Sequence, residues 1–544
     1  MSSALKAGLL LALVAFDTVR GGQVQKPGLV LPNTARAHRD AVQHIFVTSY
    51  EAYRTFAFGH DDLQPVSETF NDGRNGWGAS IVDAMTTIKI MGLDDYFAEA
   101  VNFTSNIDFS RSQTSDTVSV FETTIRYLGG LLSAYELSDQ QYPALLAKAT
   151  ELADKLAYAW LGDSDIPFGF LDFSTNIPVQ DTSNIAEAGT LTLEWATLSK
   201  HTGNDTYRLL AEKAVKHIAG LATPLPGIAV QGIDPSSGEF VGGFETWGGG
   251  SDSYFEYLIK YGRLTNTHDT VFVDTWKTAV DSTIRHLLRN STVGNHTYTS
   301  TFDSVAGLIH RTSSHLTCFH GGNWILGGKL LNNHTIVQYG LALVDSCVNT
   351  YASTATGIGP EGFAYISADG NFTSFPDPTE DDLAFYNKHG FYILDGSSDY
   401  ILRPEVLESN FYAWRVTGDT KYLDNAARAI DSFNKYLPTT VGFTGIDDVN
   451  DVNSTKIDDM ESFWFAEVLK YLYLTFDDPE HISLDDYVFN TEAHPFKAPA
   501  ARASYGGAGI KAKGAFKAKT GAIPVPSSSS FKASKSRAGS YIPY

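Results

Sequence analysis

Between residues 37 and 476, apolar residues recur at helical spacing in a dozen segments, and no regular alternation of strands with helices runs between them. The segments centre on 37–58, 78–92, 118–136, 143–160, 185–201, 206–220, 252–262, 271–289, 325–349, 404–417, 421–436 and 460–476. In 118–136, for example, Phe121, Ile125, Leu128 and Leu132 make one stripe. Turn-forming stretches such as TGND at 202–205 and TGDTKY at 417–422 punctuate the pattern. So many helices, each with an apolar face to bury, predict an all-α fold of paired helices stacked as a barrel or solenoid. Short β-hairpins are expected in the loops, for instance near 294–311.

No low-complexity linker divides residues 35–496, which therefore read as one domain; at 43% hydrophobic residues the chain can bury a large core. Residues 497–544 carry Lys and Arg but no Asp or Glu, with Ala, Gly and Ser repeats, and are expected to be an unstructured basic tail or a basic arm held against an acidic body. Lys6, the apolar run from Leu9 to Phe16, and Gly21–Gly22 make residues 1–22 read as a secretory signal peptide, too short to span a bilayer. No later run of about 18 apolar residues predicts a membrane anchor. The net charge of -22 argues against nucleic acid or an anionic membrane as partner and favours a neutral or cationic ligand.

Asn102, Asn204, Asn290, Asn295, Asn333, Asn371 and Asn453 each open an N-x-S/T triplet, consistent with glycosylation in the secretory pathway and a secreted or vesicular protein. The two cysteines, Cys318 and Cys347, are most simply one disulfide closing a loop of about 30 residues, worth about 2–4 kcal/mol in the chain-entropy view. His315 and His320 flank Cys318, but the acids elsewhere favour a hard cation over zinc.

Those acids stand on helices. Pro404 reads as a helix start, which puts Glu405 in the first turn and Glu408 one turn on, beside Arg403 and at the positive end of the helix dipole. Such a cluster suits proton transfer or cation binding, although acids favour helix N-termini in any case. Glu122 and Arg126 are four apart, the spacing of an ordinary ion pair. Asp252 and Glu256 share that spacing with like charge, which costs stability unless a cation or a shared proton offsets it. Glu187 and Glu194 lie two turns apart as a solvated stripe would. Glu467 interrupts an apolar run, so it is paired, with Lys470 at hand, or faces a polar cavity; Phe463 shares its helix face, as core or as a sugar-stacking ring.

Taken together, GWGASIVDAMTTIKIMGL (76–93), SVFETTIRYLGGLLSAYEL (119–137), AEAGTLTLEW (186–195), GGSDSYFEYLIKY (249–261), HLTCFHGG (315–322), GPEGF (359–363), LRPEVLESNFYAWRVTGD (402–419), MESFWFAEVLKYLYL (460–474) and VFNTEAHPF (488–496) resemble the class I α-1,2-mannosidases, glycoside hydrolase family 47. The resemblance spans about 37–496 in family order, and only the set is specific. It implies an (α/α)7 barrel closed at one end by a hairpin, a calcium ion at its floor, and hydrolysis of terminal α-1,2-linked mannose of high-mannose N-glycans with inversion; a monomer is expected. By the same resemblance Glu122 matches the general acid, Glu405 the general base and Asp252 a third catalytic carboxylate for which an acid role has also been considered. Thr491 matches the threonine that binds calcium through its carbonyl and hydroxyl oxygens. Asp83, Arg126, Glu187, Glu256, Glu361, Arg403, Glu408, Phe463, Glu467 and Glu492 match residues that line the sugar subsite or hold calcium-bound waters.

An inverting hydrolase needs a donor and a base about 6.5–9.5 Å apart, with a water between base and sugar. In the expected mechanism Glu405 deprotonates a calcium-associated water while Glu122, directly or through a water, protonates the leaving oxygen. Family members that remove a single mannose tend to carry Arg two residues before the catalytic Asp. Gly250 stands there in this chain and predicts broader trimming, toward a five-mannose product. A lectin-like member with little hydrolysis, and a metal-independent helical-barrel glycosidase, are the competing readings.

Overall fold

The computed structural model describes residues 22–505, so the signal peptide expected at 1–22 falls, but for Gly22, outside the described residues, as does the basic tail from 506 onward. Helices of two kinds alternate along the chain. Lys421–Tyr436 buries one stripe, Tyr422, Leu423, Ala426, Ala429, Ile430 and Phe433, and so lies on the surface. Glu405–Thr417 is buried without interruption from Glu405 to Val416 and so lies inside.

Seven helices of the buried kind form an inner ring: Ala79–Ile90, 120–137, 185–202, Asp252–Thr265, Phe319–Leu330, Glu405–Thr417 and 464–476. Each packs on its neighbour in the ring and on an outer helix; the outer helices run from Ala35–Phe56, which packs on the last inner helix, to Lys421–Tyr436. The last inner helix packs against the first, which closes the (α/α)7 barrel. Short antiparallel hairpins fill the loops, among them Leu288–Asn290 with Thr297–Thr299 and Thr301–Asp303 with Leu308–His310. The strands Tyr487–Phe489 and Pro495–Lys497 make a further hairpin whose tip, with Asn490, Ala493 and His494 buried, enters the barrel.

Three helices lie outside the segments that periodicity marked. Asp94–Thr104 and Glu380–His389 are two of them. The third matters more, because the single segment expected at 325–349 is two helices, the inner Phe319–Leu330 and the outer His334–Ala352. Four glycines in FHGGNWILGGKL depress its helix propensity, but they are there for packing. A Cβ at Gly327 would lie 2.2 Å from the Trp276 ring and one at Gly328 2.7 Å from Val337, so neighbouring helices approach where any side chain would keep them apart. Cys318, at the foot of that inner helix, is disulfide-bonded to Cys347 in the outer one.

The start of the basic tail is ordered, which corrects the expectation of an unstructured segment from 497. Ala498 N–H donates to Asp486 O at 2.8 Å, Arg263 Nη1 donates to Pro499 O at 2.8 Å, and the Tyr505 hydroxyl donates to Asn266 Oδ1 at 2.8 Å. Arg263 is fully buried and bridges the strap to the barrel, its Nη1 donating to Pro499 O and its Nη2 to Asp485 O. Among the acceptor triplets, Asn290 is buried with its amide donating to Asn295 O, so it is not presented on the folded surface, whereas Asn102, Asn204, Asn295, Asn371 and Asn453 are exposed and Asn333 is half-buried.

Candidate active site

The inner helices point their N-termini at one cavity of about 550 Å³ lined by Glu122, Arg126, Glu187, Asp252, Arg403, Glu405, Phe463, Glu467, Thr491 and Glu492, among others. Parallel helices place the positive ends of their dipoles at the same mouth, which favours the acids crowded there. Depth follows from position along each helix. Glu122, Asp252 and Glu405 sit in first turns, at the height where the helices begin. Arg126, four residues beyond Glu122, lies deeper along the same helix. The hairpin tip supplies Thr491 and Glu492 as the floor.

Two of these inner helices open with a π-helical stretch, Thr123–Leu128 and Trp464–Val468. Such a stretch adds a residue to a turn and re-aims the side chains on it, and it is common at functional sites. Here the stretches carry Arg126 and Glu467 to the cavity. Arg126 is the hub of the floor. Its Nε donates to Glu122 Oε2 at 2.7 Å, its Nη1 lies 2.6 Å from Glu492 Oε2 and 3.7 Å from Asp83, and its guanidinium lies 5.5 Å from the Phe463 ring centre.

Asp83, Glu256, Glu361 and Glu408 are not on the cavity lining; they stand behind it. Asp83 accepts from Ser462 and lies 3.3 Å from His494 Nε2. Glu256 is paired with Lys260, whose ammonium is 4.0 Å from Glu408. Glu361 accepts from Arg403 Nε at 2.6 Å. Glu467 faces the cavity, and Lys470 donates to Ala493 O at 2.7 Å instead of pairing with it.

Glu187 and Glu194 do not form a solvated stripe, because the helix breaks between Gly189 and Thr192. Glu187 accepts from Ser183 on the cavity wall. Glu194 is fully buried and accepts from Tyr257 at 2.5 Å and from Asn490 at 2.8 Å.

The three candidate catalytic carboxyls have different electrostatics. Burial pushes Asp252 up to about 7, with Glu256 and Glu405 adding to the shift against the Ser253 amide. Glu405 is buried and Glu122 half-buried, yet each is held below the usual carboxylate range. Arg126 and Arg74 hold down the first, and His315 and Arg403 the second. At neutral pH, Glu405 is thus an ionised carboxylate and Asp252 the group that still carries a proton in part.

His315 is the residue the sequence concealed. It is buried, its Nδ1 lies 2.7 Å from Glu405 Oε2, and its Nε2 lies 2.7 Å from the Tyr351 hydroxyl. An ionised carboxylate can only accept, so Nδ1 carries the hydrogen, and the imidazole fixes the orientation of Glu405. The residues are 90 positions apart, and no spacing could join them. His320 turns instead to the Thr317 carbonyl, so the two histidines share no ligand site.

Among the described residues no three His, Cys, Asp or Glu side chains converge to hold a metal directly. Thr491 offers a different kind of site. Its carbonyl and hydroxyl oxygens have no protein partner among the described residues, and it shares the cavity floor with Glu467 and Glu492. Burial drives both acids well above the usual carboxylate range, with repulsion from Glu492 adding to the shift of Glu467 and repulsion from Asp83 to that of Glu492. Free hard oxygens beside carboxylates that resist ionisation fit a divalent cation with oxygen preference, held by Thr491 directly and by the acids through water.

A profile described as glycosyl hydrolase family 47 matches residues 45–498. A mannosyl-oligosaccharide alpha-1,2-mannosidase from Coccidioides posadasii is 42% identical over 487 residues, 85% of this chain and 91% of that one. The 1B enzyme of that name from Aspergillus phoenicis is 39% identical over 487 residues, 86% of this chain and 92% of its own. The solved structure of the alpha-1,2-mannosidase from Trichoderma reesei superposes with a TM-score of 0.82 at 38% identity, covering 85% of this chain and 99% of that one.

Proposed function

The chain belongs to glycosyl hydrolase family 47 and is a glycoside hydrolase, and from that premise we propose that it removes terminal α-1,2-linked mannose from high-mannose N-glycans with inversion, trimming them toward five mannoses. The observation that carries this reading is the cavity itself, where a carboxylate held ionised, a carboxyl that keeps its proton near neutrality and an aromatic ring face one sugar-sized space.

The sugar to be released sits on the floor, against Phe463 and Arg126. Glu405, fixed by His315, takes a proton from the attacking water, and the leaving oxygen receives one from the opposite wall. The resemblance gives that second role to Glu122, but the charges around it leave Glu122 ionised in the free enzyme, and we assign the transferable proton to Asp252. The family's metal we take to be calcium, held by Thr491; when bound it supplies oxygen coordination that fixes hydroxyls of the floor sugar.

The assignment sets a pH dependence. A base with a lowered pKa works above the acid range, and a donor near 7 loses its proton as pH rises through that value. The kcat/KM profile of the free enzyme should therefore be flat in mild acid and fall with a midpoint near 7. A profile that falls already below about 5 would return the donor role to Glu122.

A nine-mannose N-glycan incubated with the protein and followed by mass spectrometry should lose mannose stepwise and stop near five. Loss of one mannose alone would keep the hydrolase and overturn the reading of Gly250. Binding without release would favour a lectin. Entry through the secretory pathway is part of the proposal; among the described residues no helix is long and apolar enough to cross a membrane.

A further inference from the structure

We propose that Tyr351 is a positioning residue for the base, although it stands on the outer helix His334–Ala352 and not on the cavity lining: its hydroxyl donates to His315 Nε2 and so keeps on Nδ1 the hydrogen that holds Glu405. This rests on the mannosidase reading above. A neutral imidazole carries one hydrogen on its two nitrogens. His315 is buried between two partners, with Glu405 Oε2 2.7 Å from Nδ1 and the Tyr351 hydroxyl 2.7 Å from Nε2. The carboxylate can only accept, whereas the hydroxyl can donate. The opposite tautomer would set the Nδ1 lone pair against Glu405. Tyr351 thus supplies a donor for the far nitrogen, which, buried without one, would carry a desolvation cost. Donation to Nε2 also polarises the ring and strengthens the Nδ1–H bond to the carboxylate. Burial pushes the Tyr351 hydroxyl well above its ordinary range, so it keeps its hydrogen at working pH.

The surroundings hold this hydroxyl in one place. Tyr351 lies one turn beyond Cys347, whose disulfide partner Cys318 lies three residues beyond His315, so a covalent bond spans the two segments that the hydrogen bond joins. A Cβ at Gly359 would come within 2.6 Å of the Tyr351 ring, so the chain closes on that ring where no side chain would fit. The His315 and Tyr351 ring centres lie 5.6 Å apart, and the Tyr400 ring packs on both, at 5.8 and 6.4 Å. Tyr400 donates its own hydrogen to Arg403 O at 3.0 Å, which leaves Nε2 to Tyr351. Between those two residues Leu402, fully buried, has φ +70°, a left-handed conformation that costs a leucine energy the surroundings must offset. The base follows a strained turn, and its orientation needs anchors outside its own segment.

The test uses the full protein with its metal and a nine-mannose N-glycan. In Tyr351→Phe, which keeps the ring, kcat should fall about 5- to 100-fold while KM and the dissociation constant for a mannose-sized iminosugar stay within about twofold of wild type. The acid limb of the kcat/KM profile should move up, because a carboxylate that loses part of its donor has a higher pKa. Arg403, Glu408, Asp252, Glu361 and Glu467 also face Glu405, but among the described residues the Tyr351 hydroxyl bonds none of them, so the limb reports on His315. Since Tyr351 acts through His315, the double variant with His315→Phe should be no slower than His315→Phe alone. Losses that add in the double variant would overturn the proposal, as would an unmoved acid limb in Tyr351→Phe or a loss carried by KM. No mannose release by the wild type would overturn the mannosidase reading and this inference with it. Should either variant fail to fold, a difluorotyrosine placed at 351 decides: it is a stronger donor of nearly the same shape and should move the acid limb down, and a limb that stays or rises would overturn the proposal.

Discussion

Glu405→Gln should lower kcat by about 10²–10⁴-fold on any α-1,2-mannoside, while the protein keeps its fold and still binds a mannose-sized iminosugar. The substitution keeps the volume and the ability to accept from His315 Nδ1, so the local geometry survives. What it removes is the charge that makes a base, since an amide cannot take the proton from the attacking water. The companion change His315→Phe tests the orienting role separately. It should leave the carboxylate in place but free to rotate, raise its pKa because the largest favourable hydrogen bond is gone, and move the acid limb of the pH profile upward. Full activity in Glu405→Gln would remove Glu405 from the chemistry. An unmoved acid limb in His315→Phe would reduce His315 to packing.

Stripping the metal is expected to have an equally large effect by a different route. EDTA should abolish mannose release, and calcium should restore it better than magnesium, which demands a tighter and more regular oxygen shell than one threonine and several waters provide. The same experiment has a readout independent of activity. Burial holds Glu467 and Glu492 well above the usual carboxylate range, so a bound divalent ion should let them ionise and release protons, and should raise the melting temperature. At a hundredfold excess over its dissociation constant the ion would add about 2.7 kcal/mol. Thr491→Ala should lose that gain along with activity. Release unaffected by EDTA would take the metal out of the reaction.

Much of this was legible in the residues, and the reason differs from place to place. The outer helices announce themselves, because a surface helix must separate apolar from polar faces, and Lys421–Tyr436 does so at textual range. Inner helices lose that contrast by being buried all round, and Phe319–Leu330, with its glycines, loses even its helix propensity. It was hidden because its glycines answer to Trp276 and Val337, residues of other helices. Cys318 and Cys347 were readable as a pair because the chain holds no others.

At the site, motif resemblance points to carboxylates that the fold gathers in or behind one cavity, but not to how they differ. Asp252 and Glu405 have similar ordinary pKa values; one is lifted by burial and the other lowered by His315, a partner 90 residues away. Glu194 read as a surface acid because helical spacing ignores a break at Thr190–Leu191, and it proves to be a buried brace for Asn490 beside Thr491.

What the chain determined by itself is local: helix after helix, their polar starts, and a single disulfide. Those follow from the periodicity and side-chain chemistry of neighbours in sequence. The tertiary structure decided depth and charge state, by closing seven helices into a ring whose N-termini face one cavity. Whether an acid there is a base, a donor, a brace or a water-holder depends on dielectric and on partners from other helices, and no stretch of sequence contains those.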